Sequence, residues 1–140
     1  MIKKNLKLNK SFKMKKIGIV CLVILITTLI SCSGSETYRG MWKATDPNGH
    51  KFEINFDAKS FTIKDSLGKS NKYEYTQNSV KTENFVETYG IKLSDGRGYQ
   101  INFPNSKDES IGLIFDENGN GLYTISRNDY TKYDDIYKLK

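Results

Sequence analysis

From Tyr38 onward, apolar and polar residues alternate in short runs, and clusters of turn residues interrupt the alternation about every ten positions. A period of two is that of a β-strand with one buried face. Arg39 to Thr45 predicts a first strand, stopped by Asp46-Pro47-Asn48-Gly49, where proline second and glycine fourth suit a type I turn. Lys51 to Phe56 follows, with Phe52, Ile54 and Phe56 on one face and Lys51, Glu53 and Asn55 on the other. Phe61 and Ile63 carry a third strand. Ser66-Leu67-Gly68-Lys69-Ser70 turns it into Lys72 to Thr76, with Tyr73 and Tyr75 on one face. Residues 78–84 show no period and read either as an extension of the fourth strand or as a loop. Thr88 to Leu93 alternates through Tyr89, Ile91 and Leu93, and Ser94-Asp95-Gly96-Arg97-Gly98 turns it into Tyr99 to Phe103. Pro104 ends that strand because it offers no ladder donor. Ile111, Leu113 and Phe115 predict a seventh strand and Leu122 to Arg127 an eighth, joined by a turn over Asp116 to Gly121.

Eight short strands joined by hairpin-length turns predict an antiparallel meander. Left open, it would expose an apolar face and two edges, and closure removes both. The expected fold is therefore all-β, a small antiparallel up-and-down barrel of about eight strands. Ten aromatic residues between Phe52 and Tyr123, Phe115 among them, are candidates for the inside, so a filled interior is expected over a hollow one. After Arg127 the spacing changes: Tyr130, Tyr133 and Ile136 or Tyr137 recur at helical intervals behind Asn128 or Asp129 as a cap. This predicts a one- to two-turn helix closing the barrel mouth, with a short last strand at Asp135 to Leu139 as the alternative.

The N-terminal quarter is patterned differently. Lys3, Lys4, Lys7, Lys10, Lys13, Lys15 and Lys16 precede Ile17 to Cys32, a run that is uncharged and mostly apolar. Basic-then-apolar order is that of a secretory signal segment, and the run is shorter than the ~20 apolar residues that cross a bilayer. It closes on Leu29-Ile30-Ser31-Cys32, which resembles the lipobox of bacterial lipoproteins. The resemblance implies cleavage before Cys32, diacylglycerol on its thiol and a lipid anchor on the extracytoplasmic face of the cell membrane. Ser33 to Thr37 then reads as a short flexible tether. The expected organisation is a helical signal peptide over 1–31, lipidated Cys32 and tether over 32–37, and a β-barrel domain over 38–140. Either Met1 or Met14 serves as the start, and both choices keep the same lipobox.

Gly40-Met41-Trp42 on the first strand resembles the G-x-W that opens lipocalins and related calycin barrels. In that family the tryptophan plugs the barrel floor and an arginine near the end of the last strand packs across it. The resemblance thus implies a floor made by Trp42 and Arg127 in cation-π contact. Tyr73, Tyr75 and Tyr99 join them as candidate barrel-floor or ligand contacts. Such a resemblance passes on a fold, and the ligand must be argued separately.

Charge and chemistry narrow the function. The net charge of +6 comes from the leader: seven of the 22 basic residues and none of the 16 acidic ones precede Cys32. The remainder carries 15 basic against 16 acidic residues and lacks the electrostatic footprint of a nucleic-acid binder. Cys21 lies in the discarded run and Cys32 is to be acylated, so no disulfide is expected and the domain must hold together by packing its aromatic-rich core. His50 is the sole histidine and follows a turn, which leaves no zinc pair and no nucleophilic triad. Asp116-Glu117-Asn118-Gly119-Asn120-Gly121 matches the first half of a calcium loop, but Arg127 stands where a bidentate glutamate is required, and a hairpin turn is expected instead. No catalysis, metal or cofactor is expected. The function expected is that of a monomeric, lipid-anchored binding domain that takes an apolar ligand in the barrel or an envelope protein or peptide on its rim. The alternative is a structural or protein-inhibiting lipoprotein with a filled core, of immunity or enzyme-inhibitor type.

Overall fold

The computed structural model describes residues 33–136; the expectations for the leader, for Cys32 and for a last strand reaching Leu139 lie outside the described residues. Within them the alternation becomes eight strands: β1 (Gly40–Thr45), β2 (Lys51–Phe56), β3 (Ser60–Asp65), β4 (Ser70–Glu83), β5 (Val86–Leu93), β6 (Gly98–Asn102), β7 (Ile111–Asp116) and β8 (Gly121–Ser126). Each pairs antiparallel with the next. Lys43↔Ser126, Ala44↔Ile125 and Thr45↔Thr124 join β1 to β8, closing an up-and-down barrel. A one-turn helix, α1 (Tyr133–Ile136), follows an irregular stretch over 128–132.

One end of the barrel is built from a repeated turn. Asp46, Asp65 and Asp116 each accept, on Oδ1, the backbone N–H groups two and four residues on, at 2.8–2.9 Å. Three residues after each aspartate a glycine takes a positive φ of 82–86° and donates its N–H to the aspartate carbonyl. A short carboxylate satisfies the turn's donors locally, and glycine enters this conformation without a Cβ clash. Asp95 caps the corresponding turn after β5 by accepting from the Arg97 N–H. These four turns form the rim of what we call the open mouth.

The interior fills from the opposite end. Trp42, Ile54, Ile101, Phe103 and Ile125 are almost wholly buried there. β7 is apolar on both faces, so alternation alone does not orient it. Gly112 lies opposite Ile125 and Ile114 opposite Tyr123, placing both on the inner face. The Phe103 ring occupies the space a side chain at 112 would need: a Cβ there would stand 3.0 Å from Phe103 Cε1. Phe115 therefore points outward, which corrects its expected place in the interior. Leu113 also faces outward. It is buried together with Thr45, Thr124 and Ser126, on the side along which the tail runs back. There Ser126 Oγ accepts from the N–H groups of Asn128 and Asp129, and Lys43 Nζ donates to the Asn128 carbonyl at 2.7 Å.

Two further stretches depart from their expected character. Residues 33–37 form a folded plug at the closed mouth, where a flexible tether was expected. Gly34 N–H donates to Ala58 O at 2.7 Å, Ser35 N–H to Gln77 Oε1 at 2.8 Å, and Gly34 O accepts from Arg39 Nε and Nη2. The cause is Tyr38, wholly buried, whose ring meets Phe56 and Tyr89 at 5.3 Å each and draws the preceding chain in. Residues 78–83 extend β4, and a bulge between Gln77 and Ser79 shifts the side-chain alternation by one, which removes any period from this stretch. β4 and β5 then meet in a two-residue turn at Asn84 and Phe85, with φ of 50° and 66°.

Two predictions follow from this architecture. Phe56 is 3% exposed and contacts the rings of Tyr38, Phe61 and Tyr75, so Phe56→Ala should lower unfolding free energy by about 3–5 kcal/mol in urea titrations. A loss near zero would mean the site collapses without a cavity. The second concerns acid. Burial pushes the Asp46 carboxyl up, but the His50 ring and backbone and the Asn48 N–H outweigh it and hold it below the usual carboxylate range; the Asn120 side chain and backbone hold Asp116 low as well. A lowered carboxylate contributes stability that is present above its unfolded range and lost as pH falls through its folded value. Melting temperature should therefore hold from neutral pH to about pH 5 and drop as pH falls below the usual carboxylate value of about 4, and Asp46→Asn combined with Asp116→Asn should flatten the drop.

Candidate functional site

The closed mouth is a lock between the first and last strands. Arg127, one residue past β8, lays its guanidinium over the Trp42 ring, with Cζ 3.6 Å from the ring centroid. Its Nη1 donates to Met41 O at 3.0 Å and its Nη2 to Arg39 O at 2.7 Å and Thr37 O at 3.2 Å. Trp42 Nε1 donates to Tyr38 O at 2.7 Å. Burial pulls the Arg127 pKa down, as expected for a cation held by carbonyls alone. Tyr75 belongs to this end too, donating its hydroxyl to Asp57 O at 2.6 Å. Tyr89 donates its hydroxyl to the Glu87 carboxylate, and its oxygen accepts from the Thr37 hydroxyl. Burial pushes the phenols of Tyr38, Tyr75 and Tyr89 up, so all three stay protonated donors. Their hydrogen bonds go inward, and the arrangement is structural.

The open mouth is different. It leads into a cavity of about 250 Å³ inside the barrel, floored by Ile54, Phe56, Ile63, Ile91, Leu93 and Ile114 and walled by Phe61, Tyr73, Tyr99 and Tyr123. Asp46 and Arg97 stand at its edge. Phe61 packs on Tyr73 at 5.3 Å and Tyr123 on Phe52 at 5.4 Å, which fixes both phenols. Arg97 reaches across the opening: its Cζ lies 5.3 Å from the Tyr73 ring centroid and its Nη1 donates to the Tyr99 hydroxyl at 3.1 Å. Asp95 grips the guanidinium through Nε and Nη2, the latter at 2.7 Å, and raises its pKa further. Burial, then the Asp46 carboxylate and the Tyr99 and Tyr73 phenols, pushes the Tyr123 hydroxyl up.

This arrangement offers apolar walls, phenolic hydroxyls and a cation already neutralised by Asp95. A larger cavity of about 610 Å³ lies on the outside, between the β1–β2 turn, the β7–β8 hairpin and Lys132 to Asp134 of the tail. We take the inner cavity as the site, because an enclosed apolar wall with a few converging polar groups is what small ligands use. His50 is largely exposed and its Nδ1 pairs with Asp46 Oδ2 at 2.9 Å. No group of three His, Cys, Asp or Glu side chains suited to a metal occurs among the described residues.

The five residues singled out in the barrel fall into two places. Tyr73 and Tyr99 line the open cavity, whereas Trp42, Tyr75 and Arg127 make the closed mouth. Cys32 lies outside the described residues. Arg97 and Tyr38 were not singled out. The signal for Arg97 is its place two residues before Tyr99, in the turn that enters β6; Tyr38 carries no comparable mark. Compared with known proteins, the chain matches no family model and no curated protein. The class defined by the geometry is a closed eight-stranded antiparallel barrel with one mouth plugged and one open.

Arg127→Lys keeps the charge but loses the planar face, so it should weaken the fold by about 0.5–2 kcal/mol and shift tryptophan emission. In a double-mutant cycle of Trp42→Phe with Arg127→Gln, a coupling energy of zero would refute the stacking contribution.

Proposed function

We propose that this protein is a lipid-anchored extracytoplasmic binding protein whose barrel takes a small, uncharged, largely apolar ligand through its open mouth. The observation that carries the reading is the cavity beneath Tyr73, Tyr99 and Tyr123, about 250 Å³, or about eight waters at ~30 Å³ each. That volume suits a single aromatic ring system or a short acyl chain. The floor offers such a ligand only carbon, while the phenols at the wall supply hydrogen bonds to a polar head. Because Asp95 neutralises Arg97 and the Asp46 carboxylate stands at the same edge, the rim disfavours an anionic head. The anchor rests on the basic leader, the apolar run and Leu29-Ile30-Ser31-Cys32.

The two halves of the proposal are tested separately. Cys32→Ala should abolish labelling by a fatty-acid probe and release the protein from the membrane fraction; a labelled, membrane-bound variant sinks the anchor. For the ligand, 2-naphthol fluorescence should saturate at one site per chain. Ile63→Phe, which fills the cavity, should abolish that binding with the circular dichroism spectrum unchanged. A linear, unsaturated titration of the parent protein, or full binding by the filled variant, sinks the pocket reading.

A further inference from the structure

We infer that the closed-mouth end of the barrel sits against the lipid bilayer, with the Phe85 ring at the tip of the β4–β5 hairpin inserted at the interface as a second contact beside an acylated Cys32. The inference rests on the anchor proposed above. Its first support is the length of the leash. Gly34 is fixed on the plug by its bond to Ala58 O, and Cys32 precedes it by only two residues. Two residues of chain reach at most ~7 Å. A protein layer between barrel and membrane would need at least the ~10 Å diameter of a helix, so the bilayer itself is the occupant that this leash admits.

The second support is the direction of the hairpin. Tyr89 of β5 packs on Tyr38 of the plug, and Phe85 lies four residues farther along, about 13 Å at ~3.3 Å per residue, beyond the closed mouth. The third is the ring. A two-residue turn with positive φ at both positions ordinarily takes Asn-Gly. Here a bulky phenylalanine holds φ at 66° and leaves its side chain 87% exposed. Strain of this kind persists where the exposed group is used. Val80, on the same hairpin, is half exposed as well. Beside the tip, Lys81 pairs with Glu83 at 3.0 Å and the Glu87 carboxylate is turned to the Tyr89 hydroxyl. An apolar ring at the headgroup boundary adds its own buried area to that of the acyl chains. Seated this way, the barrel turns its open mouth to the aqueous side.

The test uses the full chain, processed in its host, extracted and returned to phosphatidylethanolamine–phosphatidylglycerol vesicles that carry acyl-brominated lipid. Phe85→Trp is compared with Leu67→Trp, whose position is 92% exposed on the opposite rim. Both sites are on the surface, so neither change touches the core, and the Trp42 signal is common to both. Brominated lipid should quench the emission gained at position 85 several-fold more than that gained at 67, and aqueous iodide should do the reverse. Equal iodide access at both positions in fatty-acid-labelled protein overturns the seating and leaves the Phe85 ring to a protein partner. Absence of the fatty-acid label overturns the anchor, and this inference with it.

Discussion

The barrel depends on how its last strand is tied to its first. Only three residue pairs join β1 to β8, whereas every other neighbouring pair of strands has at least four. Arg127 makes up for that short seam. It stacks on Trp42, at the start of β1, and gives hydrogen bonds to three carbonyls of the chain that enters β1. Hydrogen bonds from a cation are stronger than neutral ones, and two of these three are partly buried. One of those carbonyls, Thr37 O, belongs to the plug, so the closing seam and the closed mouth are tied through the same guanidinium. Tyr38 links them, accepting from the Trp42 indole with its carbonyl while its ring lies among Phe56, Tyr75 and Tyr89.

Packing divides the interior. Toward the closed mouth, the rings of Tyr38, Phe56, Tyr75, Tyr89 and Phe103 pack on one another in edge-on and tilted contacts. Toward the open mouth the inward positions are branched aliphatic residues, and the large side chains stand in the wall. A barrel of eight strands has room either to fill with side chains or to leave a small cavity, and this one fills at one end and keeps a cavity of about 250 Å³ at the other. The polar groups follow the same division. Phenols at the closed end are committed to internal acceptors, whereas Tyr73, Tyr99 and Tyr123 surround the cavity that opens to solvent.

Much of the fold is legible in the chain because the turns are local. Asp-x-x-Gly marks the open rim at Asp46, Asp65 and Asp116, and between such turns the alternation needs no distant information. Legibility fails where two signals compete. β7 is apolar on both faces, and only the Phe103 ring against Gly112 decides which side faces in. The bulge after Gln77 erases the period of residues 78–84 although Ser79 to Glu83 are all paired with β5. Ser33 to Thr37 has the composition of a linker and is ordered by a neighbour, Tyr38, whose partners are far along the chain. The site was legible in part for the same reason. Tyr73 and Tyr99 follow from strand alternation, but Arg97 sits in a turn, where a charge ordinarily points to water, and its reach across the mouth comes from the curvature of the closed sheet.

The closing seam also orders events in time. Seven of the eight strand pairings join consecutive hairpin partners, whose loops close cheaply, whereas Arg127 meets its carbonyl partners across 86 to 90 positions. Loop-closure entropy makes such a contact the last to form and the first to open. Until it forms, β1 and β8 are bare edges able to pair with another chain. The lock at Arg127 therefore governs how long each molecule spends with its edges exposed, and so its resistance to strand exchange and aggregation as much as its stability at equilibrium.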